Sequence, residues 1–321
     1  MTSIGEALVD QLAKRDVDCV FGIPGVHTIE LYRGLAASGI RHVTPRHEQG
    51  AGFMADGYGR VSGKPGVAFV ITGPGLTNTL TAMAQARADS AGMLVVSGMN
   101  NSTTIGQGLG CLHELPDQRA LARSVALVSE RVMKSGDLLP ALDAVFTPFS
   151  TGRSGPTHID VPLDVAGQVF DAPLPEINSI PPLETDSSTL GMAITRVQQS
   201  QKPVIILGGG ARRCGDAAQA LAERIGAPVI LTANARGIMH GHDLVVPASP
   251  SLDAVRALIN DADMVLALGT ELGPTDYDMY ATDLKIDKSR FVRVDICAPQ
   301  LWRHGCGFAG YCSWQKGVDA R

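Results

Sequence analysis

The chain has 321 residues, a net charge of −5, and 45% hydrophobic but only 5% aromatic residues. A chain of this length is expected to form about two domains, each with an apolar core of its own. The negative charge and the lack of a Lys- or Arg-rich run argue against nucleic acid or an anionic membrane surface as a partner.

The apolar runs and the cysteines indicate a protein of the cytoplasm. The apolar runs, such as 67–72 and 93–96, have the length of strands and fall far short of a bilayer span. Glu6, Asp10 and Lys14 interrupt the N-terminal segment before the apolar stretch of a signal peptide could form. The six cysteines are scattered without a C-x-x-C pair, which indicates reduced thiols.

In chain order, the first part of the sequence alternates between helical and strand patterns. Ser3 and Glu6 have the spacing of a capping box in front of a helix that starts at Ile4. The alternation predicts a mostly parallel sheet with helices on both faces. Further strands are predicted at 19–21, 40–44, 66–72, 93–97 and 158–161, and further helices at 28–39, 47–60 and 76–88.

The second part repeats the alternation after a proline-rich stretch. Prolines fix φ and lack an N–H, which favours a linker over a folded element. The fold class predicted for the chain is therefore α/β, with two doubly wound, mostly parallel-sheet sandwich domains, the second of them Rossmann-like. We place the first domain at 1–167, the linker at 168–187, a central domain at 188–300 and an atypical tail at 301–321. In the central domain, helices are predicted at 188–199 and 215–225, and strands at 204–207, 229–231, 264–268 and 291–296.

Four motifs of the first domain occur in an order typical of one family. They are Phe-Gly-Ile-Pro-Gly at 21–25, Arg-His-Glu-Gln-Gly-Ala at 46–51 with its continuation at 55–60, Gly-Pro-Gly-Leu-Thr-Asn at 73–78, and Gly-Pro-Thr-His-Ile-Asp-Val-Pro at 155–162. Together they resemble the pyrimidine-binding domain of thiamine-diphosphate-dependent enzymes of the acetolactate synthase and 2-oxo acid decarboxylase family. The resemblance, which extends over roughly residues 1–300, implies non-oxidative decarboxylation or carboligation of a small 2-oxo acid.

The resemblance assigns the principal catalytic role to Glu48. In this family a glutamate hydrogen-bonds N1′ of the aminopyrimidine ring and promotes removal of the C2 proton, while the cofactor performs the difficult step. Glu48 lies where a predicted strand gives way to a helix, which is a natural mouth of a site in a parallel sheet. The simpler interpretation is an acidic residue that favours the helix dipole.

Six further residues are assigned to cofactor binding on the same grounds. Gly73, Pro74 and Gly75 would approach the pyrimidine ring closely, with Asn78 beside it on the following helix, although such a cluster is also typical of a plain turn. By their position, Pro24 and Gly25 would line the same mouth.

His113 is the second catalytic candidate. The sequence Leu-His-Glu at 112–114 follows a glycine-rich approach, and acetolactate synthases carry a Phe-Gln pair at the corresponding place. A histidine can move protons near neutral pH, so the departure favours decarboxylation over acetolactate formation. A surface loop residue is the alternative interpretation of His113.

The central domain raises the question of a second cofactor. The glycines at 208–210 follow a strand, but Arg213 replaces the third glycine of a dinucleotide fingerprint and no acidic residue ends the next strand, so an NAD enzyme is disfavoured. Acetolactate synthases bind FAD here and carry an arginine before the Gly-Pro strand. Arg153 matches that arginine, which leaves FAD open. The acidic segment 271–280 is either a solvated loop or a selector for a 2-oxo acid with a guanidino tail.

The end of the chain departs from the family. Full-length relatives continue into a domain whose Gly-Asp-Gly motif holds Mg²⁺ and the diphosphate, and that motif does not occur in this sequence. We therefore assign no metal ligand within the chain and expect those of Mg²⁺ in a domain that it lacks. Both tryptophans and two cysteines fall in 301–321, which favours a truncated or frameshifted end; the cysteine spacing disfavours zinc.

Two functions are carried forward. The first is an enzyme, or the front part of one, that forms a homodimer or homotetramer because family sites lie between subunits. The alternative is a non-catalytic module that complements a separate diphosphate-domain chain. On either hypothesis the isolated chain is expected to have little activity alone.

Overall fold

The computed structural model describes residues 1–172, 187–273, 287–297 and 308–311, together with residues 299 and 301. The chain forms two compact units, residues 1–180 and 181–321. In the first unit the strands are β1 (Cys19–Gly22), β2 (Arg41–Val43), β3 (Gly66–Val70), β4 (Met93–Met99), β5 (Val128–Arg131) and β6 (Pro156–Pro162). Its helices are α1 (Ile4–Lys14), α2 (Ile29–Ser38), α3 (Glu48–Ser62), α4 (Pro74–Ala88), α5 (Gln118–Arg123), α6 (Leu138–Thr151) and α7 (Leu163–Ala166).

Local sequence explains where these helices begin. The predicted capping box of α1 is present, because the Ser3 hydroxyl accepts from the Glu6 N–H at 3.2 Å and the Glu6 carboxylate accepts from the Ser3 N–H at 2.7 Å. Helix α4 begins at Pro74, two residues before the predicted start at residue 76. A proline suits this first position, since its fixed φ is helical and its missing N–H would have had no partner in the helix.

The first sheet is fully parallel, in the order β2-β1-β3-β4-β6-β5. Strands β3, β4 and β6 are buried along their whole length, as expected for central strands covered on both faces. Helices α1, α2 and α6 cover one face, on which Phe69 and Leu94 point inward, and α3, α4 and α5 cover the other, on which Ala68 and Val95 do.

From β1 the chain continues to β2 on one side of the sheet, and from β3 it continues to β4 on the other side. The loops that follow β1 and β3 therefore run in opposite directions. In an open parallel sheet, ligands bind in the crevice that this parting leaves at the carboxyl ends of the strands. The loop after β1 contains Pro24 and Gly25, and the loop after β3 contains Gly73, so three of the predicted site residues flank the crevice.

The second unit is also a parallel sheet covered by helices. The sheet order is β11-β10-β9-β7-β8, which confirms the predicted fold class for both halves of the chain. Its strands are β7 (Pro203–Leu207), β8 (Val229–Leu231), β9 (Met264–Leu268), β10 (Phe291–Asp295) and β11 (Phe308–Tyr311), and its helices are α8 (Ser187–Gln199), α9 (Gly215–Ile225) and α10 (Asp253–Asp261). Among the described residues, no helix combines the length and the apolar character needed to cross a bilayer.

Candidate active site

Glu48 and Asn78, two of the predicted site residues, are in direct contact. Glu48 is the first residue of α3, and its half-buried carboxylate accepts a hydrogen bond from the Asn78 side-chain amide at 3.0 Å. Asn78 lies in the second turn of α4. The His47 side chain caps α3 by accepting from the Gln49 N–H at 3.1 Å, which fixes the start of the helix beside this pair. The carboxylate is therefore held in one orientation at the carboxyl edge of the sheet.

The turn that begins α4 contacts the loop that carries His113. Gly73 has φ +62° and ψ −114°, a backbone conformation that L side chains rarely adopt. A Cβ atom at Gly73 would lie 2.2 Å from the carbonyl oxygen of His113 and 2.9 Å from its Cβ. Glycine is therefore needed at residue 73 because the loop at 112–114 rests directly on it.

His113 itself is held in a strained conformation. Its φ is +60°, which is uncommon for a residue other than glycine, and its Nδ1 atom is buried without a hydrogen-bond partner among the described residues. Such strain and an unpaired buried polar atom cluster at functional sites, where a ligand supplies the missing contact. The buried ring nitrogen shows that His113 is not simply a solvated loop residue, and its catalytic role stays a prediction.

The loop before His113 is organised by Glu114. Gly106, Gly108 and Gly110 all have positive φ, and the Glu114 carboxylate accepts from the N–H groups of Gly108 at 2.8 Å and of Cys111 at 3.0 Å. Desolvation opposes the effect, but these backbone donors hold the pKa of Glu114 below its ordinary value. An ionised Glu114 thus gives the glycine-rich segment a defined shape.

Two residues that the sequence analysis did not single out, His27 and Asn100, complete this cluster. Asn100 follows β4, and its side-chain amide donates to the Leu112 carbonyl at 2.9 Å and lies 3.3 Å from His27 Nε2. His27 is 5% exposed, and its pKa is lowered by burial and by the nearby His113. The sequence could have predicted a place for Asn100 at the site, since a polar residue directly after a buried parallel strand lies at the carboxyl edge of the sheet.

The remaining predicted residues of the mouth differ in exposure: Gly25 is partly buried, and Gly75 is buried in the first turn of α4. Pro24 and Pro74 are exposed, and the turn at Gly25 packs so closely that a Cβ there would lie 2.5 Å from Ile71 Cγ2. The large apolar side chains of Val26 and Leu112, next to these residues, are 55% and 59% exposed. An apolar rim of this kind suits a flat ring better than it suits a charged ligand.

Arg153 is not brought to this site. It precedes β6, at the opposite edge of the sheet from Glu48, and its guanidinium group bonds to the Ser90 hydroxyl and to the carbonyl of Ala88 at the end of α4. The flavin assignment that rests on Arg153 stays a prediction.

The glycines after β7 have a structural use within the second unit. A Cβ at Gly208 would lie 2.3 Å from the carbonyl oxygen of Gly269, and the Gly210 N–H donates to that same oxygen at 2.9 Å. Arg293, which is 1% exposed, supports the adjoining segment by donating to the Thr270 carbonyl at 2.9 Å. Close approach of two backbones thus explains this glycine cluster without a dinucleotide.

Two stretches of the chain match known families of protein domains. Residues 2–121 match the family described as thiamine pyrophosphate enzyme, N-terminal TPP binding domain, and residues 190–306 match its central domain. The chain belongs to the thiamine pyrophosphate enzyme family. The crevice that holds Glu48 and Gly73 lies within the matched TPP-binding segment.

Two curated members of this thiamine pyrophosphate enzyme family illustrate the range of relatives. The probable 2-ketoarginine decarboxylase of Pseudomonas aeruginosa is 46% identical over 296 residues, which are 91% of this chain and 52% of that protein. The acetolactate synthase large subunit of Corynebacterium glutamicum is 32% identical over 294 residues, 88% of this chain and 46% of that protein. The chain thus spans about half the length of the curated relatives it matches.

The same fold is found in a solved structure. An X-ray structure from Mycobacterium smegmatis, described as that of a thiamin diphosphate-dependent enzyme, matches 97% of this chain and 60% of its own with a TM-score of 0.85. At 19% sequence identity this likeness concerns the fold alone.

The residues present fit the aminopyrimidine half of the cofactor. A carboxylate held by an amide at the crevice can accept a hydrogen bond from a ring nitrogen that carries a proton. The glycines and prolines at 24, 25 and 73–75 carry no long side chain, and the apolar rim at Val26 and Leu112 suits a flat ring. The described residues contain no cluster of three or more His, Cys, Asp or Glu side chains arranged to hold a metal ion.

Proposed function

We propose that this chain forms the pyrimidine-binding and central domains of an enzyme that decarboxylates a 2-oxo acid, or joins it to a second carbonyl compound, with thiamine diphosphate. The observation that carries the proposal is the Glu48 carboxylate, oriented by Asn78 at the switch point of a parallel sheet. The similarity to a 2-ketoarginine decarboxylase and to acetolactate synthases supports the same chemistry.

Each residue has a distinct part in this proposal. Bound thiamine diphosphate supplies the electron sink that makes loss of CO₂ feasible. Glu48 would hold a proton shared with N1′ of the aminopyrimidine ring, and the Gly73 turn would leave room for that ring. His113, through its imidazole ring, would exchange protons with the reacting 2-oxo acid.

The finer assignments are part of the same proposal. We infer that Mg²⁺ and the diphosphate are held by a domain outside this chain, supplied by the same protein or by a separate one, and that the assembled enzyme is a cytoplasmic homodimer or homotetramer.

A titration with the aminopyrimidine alone tests the role of the crevice. We expect 4-amino-5-hydroxymethyl-2-methylpyrimidine, added to the isotope-labelled chain, to shift the NMR signals of Gly25, Glu48, Gly73 and Asn78. The substitution Glu48→Gln keeps the shape of the side chain but replaces the shared proton acceptor with an amide, so it is expected to weaken binding about tenfold. Glu30→Gln is the matched control, because Glu30 is also partly buried, pairs with Arg33 at 3.3 Å, and lies on α2, which covers the other face of the sheet.

The result can contradict the proposal in two ways. Shifts confined to residues away from the crevice would show that the pyrimidine does not bind there. Equal affinity in the wild-type chain and Glu48→Gln would remove the assigned role of the carboxylate, whatever the position of the shifts.

We further propose that the 2-oxo acid carries a cationic guanidino tail. The similarity to a 2-ketoarginine decarboxylase supports this, as does the acidic composition of the segment 271–280. Glu271 is described, and its carbonyl accepts from Arg293 at 3.2 Å, whereas Asp276 and Asp278 lie outside the described residues. The assembled enzyme is expected to release CO₂ faster from 5-guanidino-2-oxopentanoate than from pyruvate; a preference for pyruvate would reject the assignment.

A further inference from the structure

Gln118 is the first residue of α5. Both polar atoms of its carboxamide form hydrogen bonds, and these bonds join the ends of two strands. Gln118 is 1% exposed. Its Oε1 atom accepts from the Thr72 hydroxyl at 2.8 Å and from the Gly73 N–H at 2.9 Å, beyond the end of β3. Its Nε2 atom donates to the Ser97 hydroxyl at 3.0 Å and to the Gly98 carbonyl at 3.1 Å, on β4.

The orientation of this carboxamide follows from its partners. The Gly73 N–H can only donate and therefore faces Oε1, and the Gly98 carbonyl can only accept and therefore faces Nε2. Rotating the amide by half a turn would place donor against donor and acceptor against acceptor in a buried setting. The side chain therefore sets the distance between the two strand ends in one way only.

The two glycines that Gln118 joins are the ones on which the two histidines rest. A Cβ at Gly73 would lie 2.2 Å from the carbonyl oxygen of His113, and a Cβ at Gly98 would lie 2.3 Å from the carbonyl oxygen of His27. Both contacts are backbone to backbone, so a displacement of either glycine must move the loop above it. The contacts of Gln118 are thus transmitted directly to both histidine loops.

A second buried residue, His158, contacts the Ser97 hydroxyl to which Gln118 donates. The Ser97 hydroxyl, which accepts from Gln118, lies 2.8 Å from His158 Nε2, and the other ring nitrogen of His158 lies 2.8 Å from the Ser129 hydroxyl. His158 is fully buried. The network thus runs from the crevice to β5 at the edge of the sheet, and its buried polar groups stiffen one arrangement.

We propose that Gln118 is a positioning residue of this site, whose carboxamide fixes the spacing of the β3 and β4 ends and so places His113 and His27 over the crevice. Its importance for catalysis rests on the proposed function. Its effect on the two histidines does not, because that effect is a property of the chain without cofactor.

The experiment observes the histidine side chains directly. In the full chain with isotope-labelled histidine, Gln118→Met preserves the length of the side chain and removes all four hydrogen bonds. We expect the imidazole NMR signals of His27 and His113 to shift or split, while His242 in the second unit is unchanged. Amide hydrogen exchange of residues 111–114 should accelerate about tenfold, as expected for the loss of a buried hydrogen-bond anchor.

A second buried glutamine provides the matched control. Gln11 in α1 is fully buried, and its Oε1 accepts from Arg15 at 2.7 Å, within the helix layer on the other face of the sheet. Gln11→Met therefore removes a buried carboxamide without touching either strand end, and it should leave the signals of both histidines in place. Wild-type signals in a folded Gln118→Met chain would overturn the proposal.

A conservative variant keeps the proposal testable if Gln118→Met does not fold. Gln118→Glu retains an acceptor for Thr72 and Gly73, and at a pH where its carboxylate is ionised it has no donor toward Gly98, so His27 should then move more than His113. Equal displacement of both, or of neither, would contradict the assigned contacts. Failure of the proposed function would instead be seen in the Glu48→Gln titration, which leaves these histidine signals unaffected.

Discussion

The carbonyl oxygen of His113 occupies the space that a side chain at Gly73 would need, only 2.2 Å from the position of its Cβ. The two residues come from motifs 40 positions apart in the numbering, one in the turn before α4 and one in the glycine-rich loop. Their contact joins the part of the crevice assigned to the pyrimidine ring to the residue assigned to proton exchange. Substitutions in this turn should therefore act on both.

Gly73→Ala is expected to displace the loop at 112–114 and to destabilise the first unit by roughly 2–4 kcal/mol, because the positive φ and the backbone clash both oppose a Cβ. Urea unfolding measures the change. Gly136→Ala is the matched control, since a Cβ there meets no atom within 4 Å. Equal stability of the two variants would show that the loop can move away without cost.

Asn78→Ala should weaken binding of the aminopyrimidine by about threefold to tenfold. The Glu48 carboxylate would remain, but it would lose the hydrogen bond of 3.0 Å from the amide that orients it. A carboxylate that is not oriented in advance loses more conformational entropy when it binds the pyrimidine. The NMR titration described above measures the affinity. Asn101→Ala, at an exposed position beyond β4, should leave it unchanged. Unaltered binding by Asn78→Ala would mean that Glu48 is held by other groups.

Asn100→Asp should raise the pKa of His27. In the wild-type chain burial and the neighbouring His113 lower that pKa. A carboxylate in place of the amide that lies 3.3 Å from His27 Nε2 would favour the charged imidazole and so raise its pKa. An NMR titration of labelled histidine measures the shift. Asn101→Asp places the same charge one residue away on an exposed side chain and is expected to have a much smaller effect.

Most of the fold was predictable because its central elements carry strong local patterns. The bounds predicted for α9, β8 and β9 agree with the structure. Strands β5 and β11 and helices α5, α6, α7 and α10 were not predicted. Strand β5 is a short edge strand, mostly half-exposed and without an apolar run, and α6 contains Pro148, a residue that normally interrupts a helical pattern.

The residues of the candidate site were also predictable only in part. Contiguous sequence motifs predicted Glu48, Asn78 and the Gly73 turn. The loop of His113 was also predicted from its local sequence. Gln118 and His27 could not be found in this way, because their role depends on contacts with strand ends far away in the chain, such as Ser97 and Gly98. Nothing in their immediate neighbours encodes those contacts.

The buried His158 gives the first unit a specific pH dependence. Burial, with further repulsion from Arg131 and Arg119, lowers the pKa of His158 from 6.5 to about 3 in the folded chain. Between these two values the unfolded chain binds a proton that the folded chain does not. Stability from this group is therefore complete above pH 6.5 and is lost progressively as the pH falls towards 3. At pH 5 the loss relative to pH 7 is about 2 kcal/mol.

His158→Gln isolates this contribution, because a carboxamide can bond to both Ser97 and Ser129 and does not titrate in this range. Other titrating groups, including the buried Asp160 beside Arg131, are common to both proteins and cancel in the comparison. Urea unfolding at pH 7 and pH 5 should therefore show a smaller loss of stability for the variant, by about 2 kcal/mol. Parallel losses in the two proteins would mean that folded His158 takes up its proton as readily as the unfolded residue, and that the network behind Gln118 is open to protonation.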